Sequence, residues 1–214
     1  MTSSDDSKAI FDLPSQKSHK CNVSSTNLLE KSLTPAKTIL DMGCGKKKRA
    51  GTIGVDWSDR HDADVIHDLN TFPYPFADNE IDQIYLDNVL EHLDNPMRVM
   101  QEIHRIIKVD GTVKVIVPYF RSAWAFIDPT HKTFFTVDSF AYYDPSHIIC
   151  QRYDYVDTRF KVERIVFNET LSMPPIHFIK KIIVKIANKW PNRYEAYLSH
   201  FVPLDDITYY LRKI

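Results

Sequence analysis

No apolar run in this sequence approaches the roughly 20 residues that a membrane-crossing helix needs. The opening segment MTSSDDSKAIFDLPSQKSHK also lacks the apolar centre of a secretory signal. Together these absences predict a soluble, cytoplasmic chain without a membrane span. Charge of one sign is missing too: 27 Lys and Arg stand against 28 Asp and Glu, a formal net charge of -1. With no global basic field to attract it, a nucleic-acid partner is not expected. Cysteine is scarce as well. Cys21, Cys44 and Cys150 form no CxxC pair, so their spacing predicts neither a metal site nor a disulfide scaffold.

What is present reads as one domain. A chain of 214 residues, 43% hydrophobic, can bury one full core. Residues 1–24 are polar and aperiodic and read as a disordered or loosely packed tail; residues 25–214 read as the folded domain. Ser24–Ser25 could cap a short helix through Asn27–Leu33, stopped by Pro35.

The pattern then becomes α/β. Strands are expected at 38–42, 52–57, 63–68, 81–86, 112–117, 160–167 and 207–211. Asn95 and Pro96 open a helix with an apolar face of Val99, Met100, Ile103, Ile106 and Ile107, and Asp110–Gly111 turns it into the fifth strand. A helical insertion, 176–200, broken at Pro191, precedes the last strand, with Ile179, Ile182, Ile183, Ile186 and Trp190 as its core face. The fold class is therefore a Rossmann-like, mostly parallel seven-stranded sheet. The links 43–51 and 58–62 are too short for ordinary crossover helices, which take about a dozen residues. The N-terminal helix and the 176–200 insertion are the expected covers for the first three strands.

Chemistry concentrates where the first strands end. Asp41-Met42-Gly43-Cys44-Gly45 closes strand one, Asp56 closes strand two and Asp68 closes strand three. Glycines there permit close approach of a ligand, and ligands of open α/β sheets sit beyond the strands' carboxyl ends. An acid ending strand two suits ribose hydroxyls. Lys47 and Lys48 stand where GxGxxG would need its third glycine, and GxxxxGK[ST] is absent. A nucleoside without phosphates fits better than a dinucleotide. Lys46–Arg49 reads as a solvated basic run.

Ile39–Gly45 resembles motif I of class I S-adenosylmethionine-dependent methyltransferases. Asp82–Leu93, ending in Leu90-Glu91-His92, resembles their segment after strand four, and Ile106–Val113 their entry to strand five. The resemblance is nearest to the type 11 group, including members with a stretch like Val117–Phe120 followed by Asp128–Lys132. It implies S-adenosylmethionine as cofactor, held by Asp41, Gly43, Cys44, Gly45, Asp56, Trp57, Asp68, Leu69, Asp87 and Asn88. His131 and His92 are the catalytic candidates, with Asp128 placed to orient His131; Tyr119, Asp128 and His131 are the candidates for binding substrate. The aromatic residues Phe120, Trp124 and Phe126 could line an acceptor pocket with Tyr119.

The implied activity is methyl transfer to an oxygen or nitrogen of a small molecule or saccharide. A nucleic-acid methyltransferase is disfavoured because Leu86–Val89 lacks the [DNS]PP[YF] motif. A catalytically silent cofactor-binding module that acts through protein contacts is the other alternative. The sequence carries no signal for oligomeric state.

Overall fold

The computed structural model describes residues 37–60, 62–168 and 178–214, all within the unit Ala36–Ile214. The tail expected over 1–24 and the helix expected over 27–33 lie outside the described residues, as do positions 176 and 177 of the insertion.

One sheet carries strands β1 (Ile39–Met42), β2 (Ile53–Asp56), β3 (Val65–Ile66), β4 (Ile81–Asp87), β5 (Ile107–Pro118), β6 (Phe160–Phe167) and β7 (Asp206–Lys213). Their spatial order is β3-β2-β1-β4-β5-β7-β6. The first five run parallel, and β7 lies antiparallel between β5 and β6. This is the seven-stranded Rossmann-like arrangement of class I methyltransferases. After β1 the chain steps outward to β2 and β3, then returns to place β4 on the other side of β1. That reversal opens a crevice at the strands' carboxyl ends, where Met42 pairs with Val55 on one side and Leu86 on the other.

The helices are α1 (Pro96–Ile106), α2 (Trp124–Ile127), α3 (Ile148–Tyr153) and α4 (Phe178–Lys189). The Asn95 side chain caps α1 by accepting from the Arg98 N–H at 3.1 Å, and Pro96 opens its first turn. Val99, Met100, Ile103 and Ile106 are buried, each worth about 1.5–3 kcal/mol by removal from water. Ile107 already belongs to β5. Asp110, at φ 62, sits inside the span of that strand where its register against β4 shifts, so the expected turn is a bulge. A second register shift, between Val162 and Arg164, explains the imperfect alternation of β6.

Of the two expected covers for the first three strands, the N-terminal helix lies outside the described residues, and the structure adds a further cover. The link between β3 and β4 places Leu69 and Tyr74 in the core cluster with Leu40, Met42 and Val55. Tyr74 donates its hydroxyl to the Leu69 carbonyl at 2.9 Å, and its backbone N–H to Glu102 at 2.9 Å. Arg105 donates to the carbonyls of Tyr74 and Phe76 and to Asp78, which locks this link onto α1.

The α4 helix packs against β6, at the edge of the sheet opposite β3, and so cannot cover the first three strands. Its inward face is Ile183, Val184 and Ala187; Ile179, Ile182 and Trp190 are exposed. Asn188 explains the rotation. Its side-chain oxygen accepts from the Phe167 N–H at 2.6 Å and its nitrogen faces the Phe167 carbonyl at 3.4 Å, closing the end of an edge strand.

Candidate active site

Beyond β1 the chain turns through Gly43 (φ 71) and Gly45 (φ 57), left-handed conformations that side chains disfavour. The N–H groups of Gly43 and Cys44 donate to the Val55 carbonyl at 2.7 and 3.3 Å, tying the turn to β2. A Cβ on Gly43 would lie 2.3 Å from Val89 Cγ2, so this position must stay bare for the segment after β4 to close over it. A Cβ on Gly45 would meet nothing within 4 Å, because this residue faces open space. Cys44 is buried behind the turn. Burial, with Asp56 and Asp41 nearby, pushes its thiol pKa up, which makes it a packing residue and not a nucleophile.

Aspartates hold this turn by their carboxylates. Asp56 accepts from the Gly45 N–H at 2.9 Å and Asp41 from the Arg49 N–H at 2.8 Å. Asp64 accepts from the Gly54 N–H at 2.7 Å and pairs with Lys48, which holds it below the usual carboxylate range. The Arg49 guanidinium bonds Asp87 at 2.8 Å, lies 3.8 Å from Asp41, and sits 4.6 Å over the Tyr85 ring. Lys48 is therefore a fixed partner of Asp64, just ahead of β3, and Arg49 of the strand-end acids Asp41 and Asp87. The expectation of a uniformly solvated basic run fails for these two.

Between the turn and the segment after β4 lies a cleft of about 660 Å³. Seven of the expected cofactor residues line it: Gly43, Gly45, Asp56 and Trp57 on one side, Asp68 and Leu69 on another, and Asn88 beneath. Asp41, Cys44 and Asp87 do not line it; they stand behind the turn. Asn70, Val89 and Leu93 line it without having been singled out. Asn70 adjoins Asp68–Leu69, a signal that was open to reading, whereas Val89 and Leu93 look like ordinary core residues.

His92 also lines the cleft. It ends a short 3-10 turn, Leu90–His92, and its Nδ1 lies 2.8 Å from Thr130 Oγ1. The Thr130 hydroxyl donates to Asp128 at 2.7 Å, so it accepts the proton of His92 Nδ1 and leaves Nε2 as the free lone pair. Asp128 thus orients His92 and not, as expected, His131. His131 instead bonds the Ala125 carbonyl through Nδ1 at 3.0 Å, and its ring lies 4.6 Å from that of His92. Glu91 is 1% exposed, and neither of its carboxyl oxygens has a hydrogen-bond partner among the described residues. Burial, reinforced by the Asp87 and Asp128 charges, pushes its acid up to about 8. The Glu91 carbonyl accepts from the N–H groups of Lys132 and Thr133, which pins the 128–133 loop to the 3-10 turn.

The family model described as a methyltransferase domain matches residues 40–115, the stretch from β1 into β5 that builds this cleft. Over these residues the chain is similar to a methyltransferase domain, the family that Ile39–Gly45 and Asp82–Leu93 resemble. An S-adenosylmethionine-dependent methyltransferase from Mesorhizobium loti shares the fold at a TM-score of 0.51 and 11% identity, over 83% of this chain and 91% of that one. A proposed methyltransferase from Bacillus halodurans C-125 does so at 0.51 and 13%, over 85% and 94%. No curated protein matches the chain.

S-adenosylmethionine is the cofactor of this domain, and the cleft suits it: Gly45 leaves bare backbone at the wall, a carboxylate stands at the end of β2, and no phosphate needs a helix N-terminus. On the acceptor side the methyltransferase departs from expectation. Tyr119 is fully buried, its ring against Phe120, Phe167 and Tyr194, and contacts no part of the cleft. Trp124 and Phe126 are exposed, Phe126 stacking on Phe134. Among the described residues no helix is long and apolar enough to cross a membrane.

Proposed function

We propose that this methyltransferase transfers its methyl group to an oxygen or nitrogen atom of a small molecule or saccharide. Asp56 would accept the ribose hydroxyls, Trp57 would face the adenine, and Asp68 with Leu69 would meet the adenine edge. The turn Gly43–Gly45, with Asp41 and Asp87 behind it and Asn88 beneath, would hold the methionine portion. When bound, S-adenosylmethionine would supply an electrophilic methyl on a sulfonium, with sulfur as the group that takes back the C–S electron pair. The chain has then to align the acceptor and deal with the proton of a neutral O–H or N–H group.

The observation that carries this reading is the position of His92, whose imidazole lines the same cleft as Gly45 and Asp56. Behind it stand His131 and Glu91, a cluster able to activate the acceptor. The balanced charge of the chain and the absence of [DNS]PP[YF] at Leu86–Val89 support a small acceptor over a nucleic acid.

The test is calorimetric titration with S-adenosylhomocysteine, followed by an acceptor screen read by mass shift. His92→Ala should lower turnover by about 100-fold or more with cofactor affinity nearly unchanged. Equal loss of both would remove His92 from the chemistry, and a wild-type chain that binds no S-adenosylhomocysteine would overturn the whole reading.

A further inference from the structure

We infer that Glu91, His92 and His131 form a binding site for one divalent transition-metal ion at the edge of the cofactor cleft. Their donor atoms all lie within 4.8 Å of one another, with His131 Nε2 4.0 Å from Glu91 Oε1. That separation is too long for a hydrogen bond. The second-sphere bonds decide what these atoms present. His92 gives its Nδ1 proton to Thr130 and His131 gives its own to the Ala125 carbonyl, so both rings keep an Nε2 lone pair, that of His131 4.0 Å from Glu91 Oε1. Glu91 adds a carboxylate that is 1% exposed and has no hydrogen-bond partner among the described residues. Three acceptors share one small space, and among the described residues the Glu91 carboxyl oxygens accept from no donor. A proton on Glu91 would serve one of them at most; a cation serves all three.

The donor chemistry narrows the ion. Two imidazoles and one carboxylate suit zinc, iron(II) or cobalt(II) and leave open coordination positions, whereas magnesium and calcium prefer oxygen alone. Tetrahedral coordination with bonds of about 2.1 Å sets donors about 3.4 Å apart. The cluster must therefore draw in by at most about 1.4 Å, within reach of side-chain rotation. Imidazoles fixed by a backbone carbonyl and by a Thr–Asp pair are the usual outer support of metal-binding histidines. The loop that brings His131 across is itself held by the Glu91 carbonyl.

The site's existence does not depend on the transfer reading; its use does. An acceptor hydroxyl in an open position beside His92 would lose its proton to water more readily. Its oxygen lone pair would then form the new bond to the methyl carbon as the C–S bond breaks.

The test uses the full chain, stripped of metal, without cofactor or acceptor. Co²⁺ is titrated with visible absorption as the readout, and Zn²⁺ by calorimetry and by its effect on the melting temperature. One equivalent should bind, and Zn²⁺ should raise the melting temperature. Glu91→Gln and His131→Ala should each weaken binding by at least the 10–100-fold that an outer-sphere contact alone carries. Thr130→Val should do so less, and His147→Ala, remote from the cluster, should not. Circular dichroism checks that each variant folds; if Glu91→Gln does not, His131→Ala and Thr130→Val carry the test. The site is refuted if the wild type takes up no more Co²⁺ than a His92→Ala/His131→Ala double variant, or if a folded Glu91→Gln binds as tightly as wild type. S-adenosylhomocysteine titration of the same samples keeps a failure of this site separate from a failure of the cofactor assignment.

Discussion

The two sides of the sheet share one apolar core but differ in what fixes their outer parts. From β1 outward to β3 the strands are four, four and two residues long, whereas β4 to β7 run from seven to 12. On the short side, Asp41 and Asp56 each catch a backbone N–H of the loop after β1 and Asp64 catches that of Gly54 in β2, at 2.7–2.9 Å. On the long side, α1 and β5 to β7 are held by fully buried apolar side chains such as Ile103, Val115 and Leu211. Hydrogen bonds to charged acceptors fix loop geometry, and apolar burial supplies most of the folding energy. Ligand binding and stability should therefore respond to different substitutions.

The largest effect expected is on the long side. Ile103→Ala empties a fully buried position on α1 and should cost about 2–5 kcal/mol of stability, read by urea unfolding. The affinity of the remaining folded protein for S-adenosylhomocysteine should not change; a parallel fall would mean the two sides are not separable. Asp56→Ala makes the opposite case. It removes the acceptor for the Gly45 N–H and the expected ribose contact, so cofactor binding should weaken by about 1–3 kcal/mol. Calorimetry that found the affinity unchanged would break the assignment of Asp56. Arg49→Leu is subtler. The guanidinium is partly exposed and bridges Asp41 and Asp87, so the loss of affinity should be about 0.5–1 kcal/mol and should shrink in high salt. An effect that salt leaves intact would point to packing on Tyr85 instead.

The same contrast explains what could be read from the residues alone. Continuous apolar runs for buried parallel strands such as β1 and β5, and alternating runs for the antiparallel β6 and β7, made all seven legible, and the glycine turn with its strand-end acids was legible too. Arg49 was not, because its role depends on Asp87, 38 residues away. The burial of Glu91 was hidden for a similar reason: the 128–133 loop folds over it from across the chain. Tyr119 follows β5 directly and looked aimed at the ligand edge, yet its ring completes an aromatic cluster with Phe167 and Tyr194. In α4, spacing identified an apolar arc but could not say which part of it would face β6.

The smallest effect expected is the part of the pH dependence that lies on the long side. The His104 ring lies 5.3 Å from that of Phe160, edge to face, and its pKa is lowered by burial first and by the neighbouring Lys213 ammonium second. Lys213 cannot move away, because it donates to the carbonyls of His104 and Ile107 at 2.6 and 2.9 Å and to Asn79 at 2.8 Å. In the unfolded chain His104 takes up a proton near its ordinary pKa of about 6.5, whereas the folded chain resists until lower pH. The unfolded state then binds more protons, so stability is full above about pH 6.5 and falls as pH drops below it, by at most about 1.4 kcal/mol per pH unit for this one group. His92 is also depressed, by burial and then by His131, and adds its own share in the same direction. His104→Gln removes only the first contribution. Thermal melts at neutral and mildly acidic pH should therefore show the variant losing less stability than wild type on acidification, with S-adenosylhomocysteine affinity equal in the two proteins at each pH. An identical acid response in both would place the sensitivity at His92 instead, and so on the ligand side of the sheet.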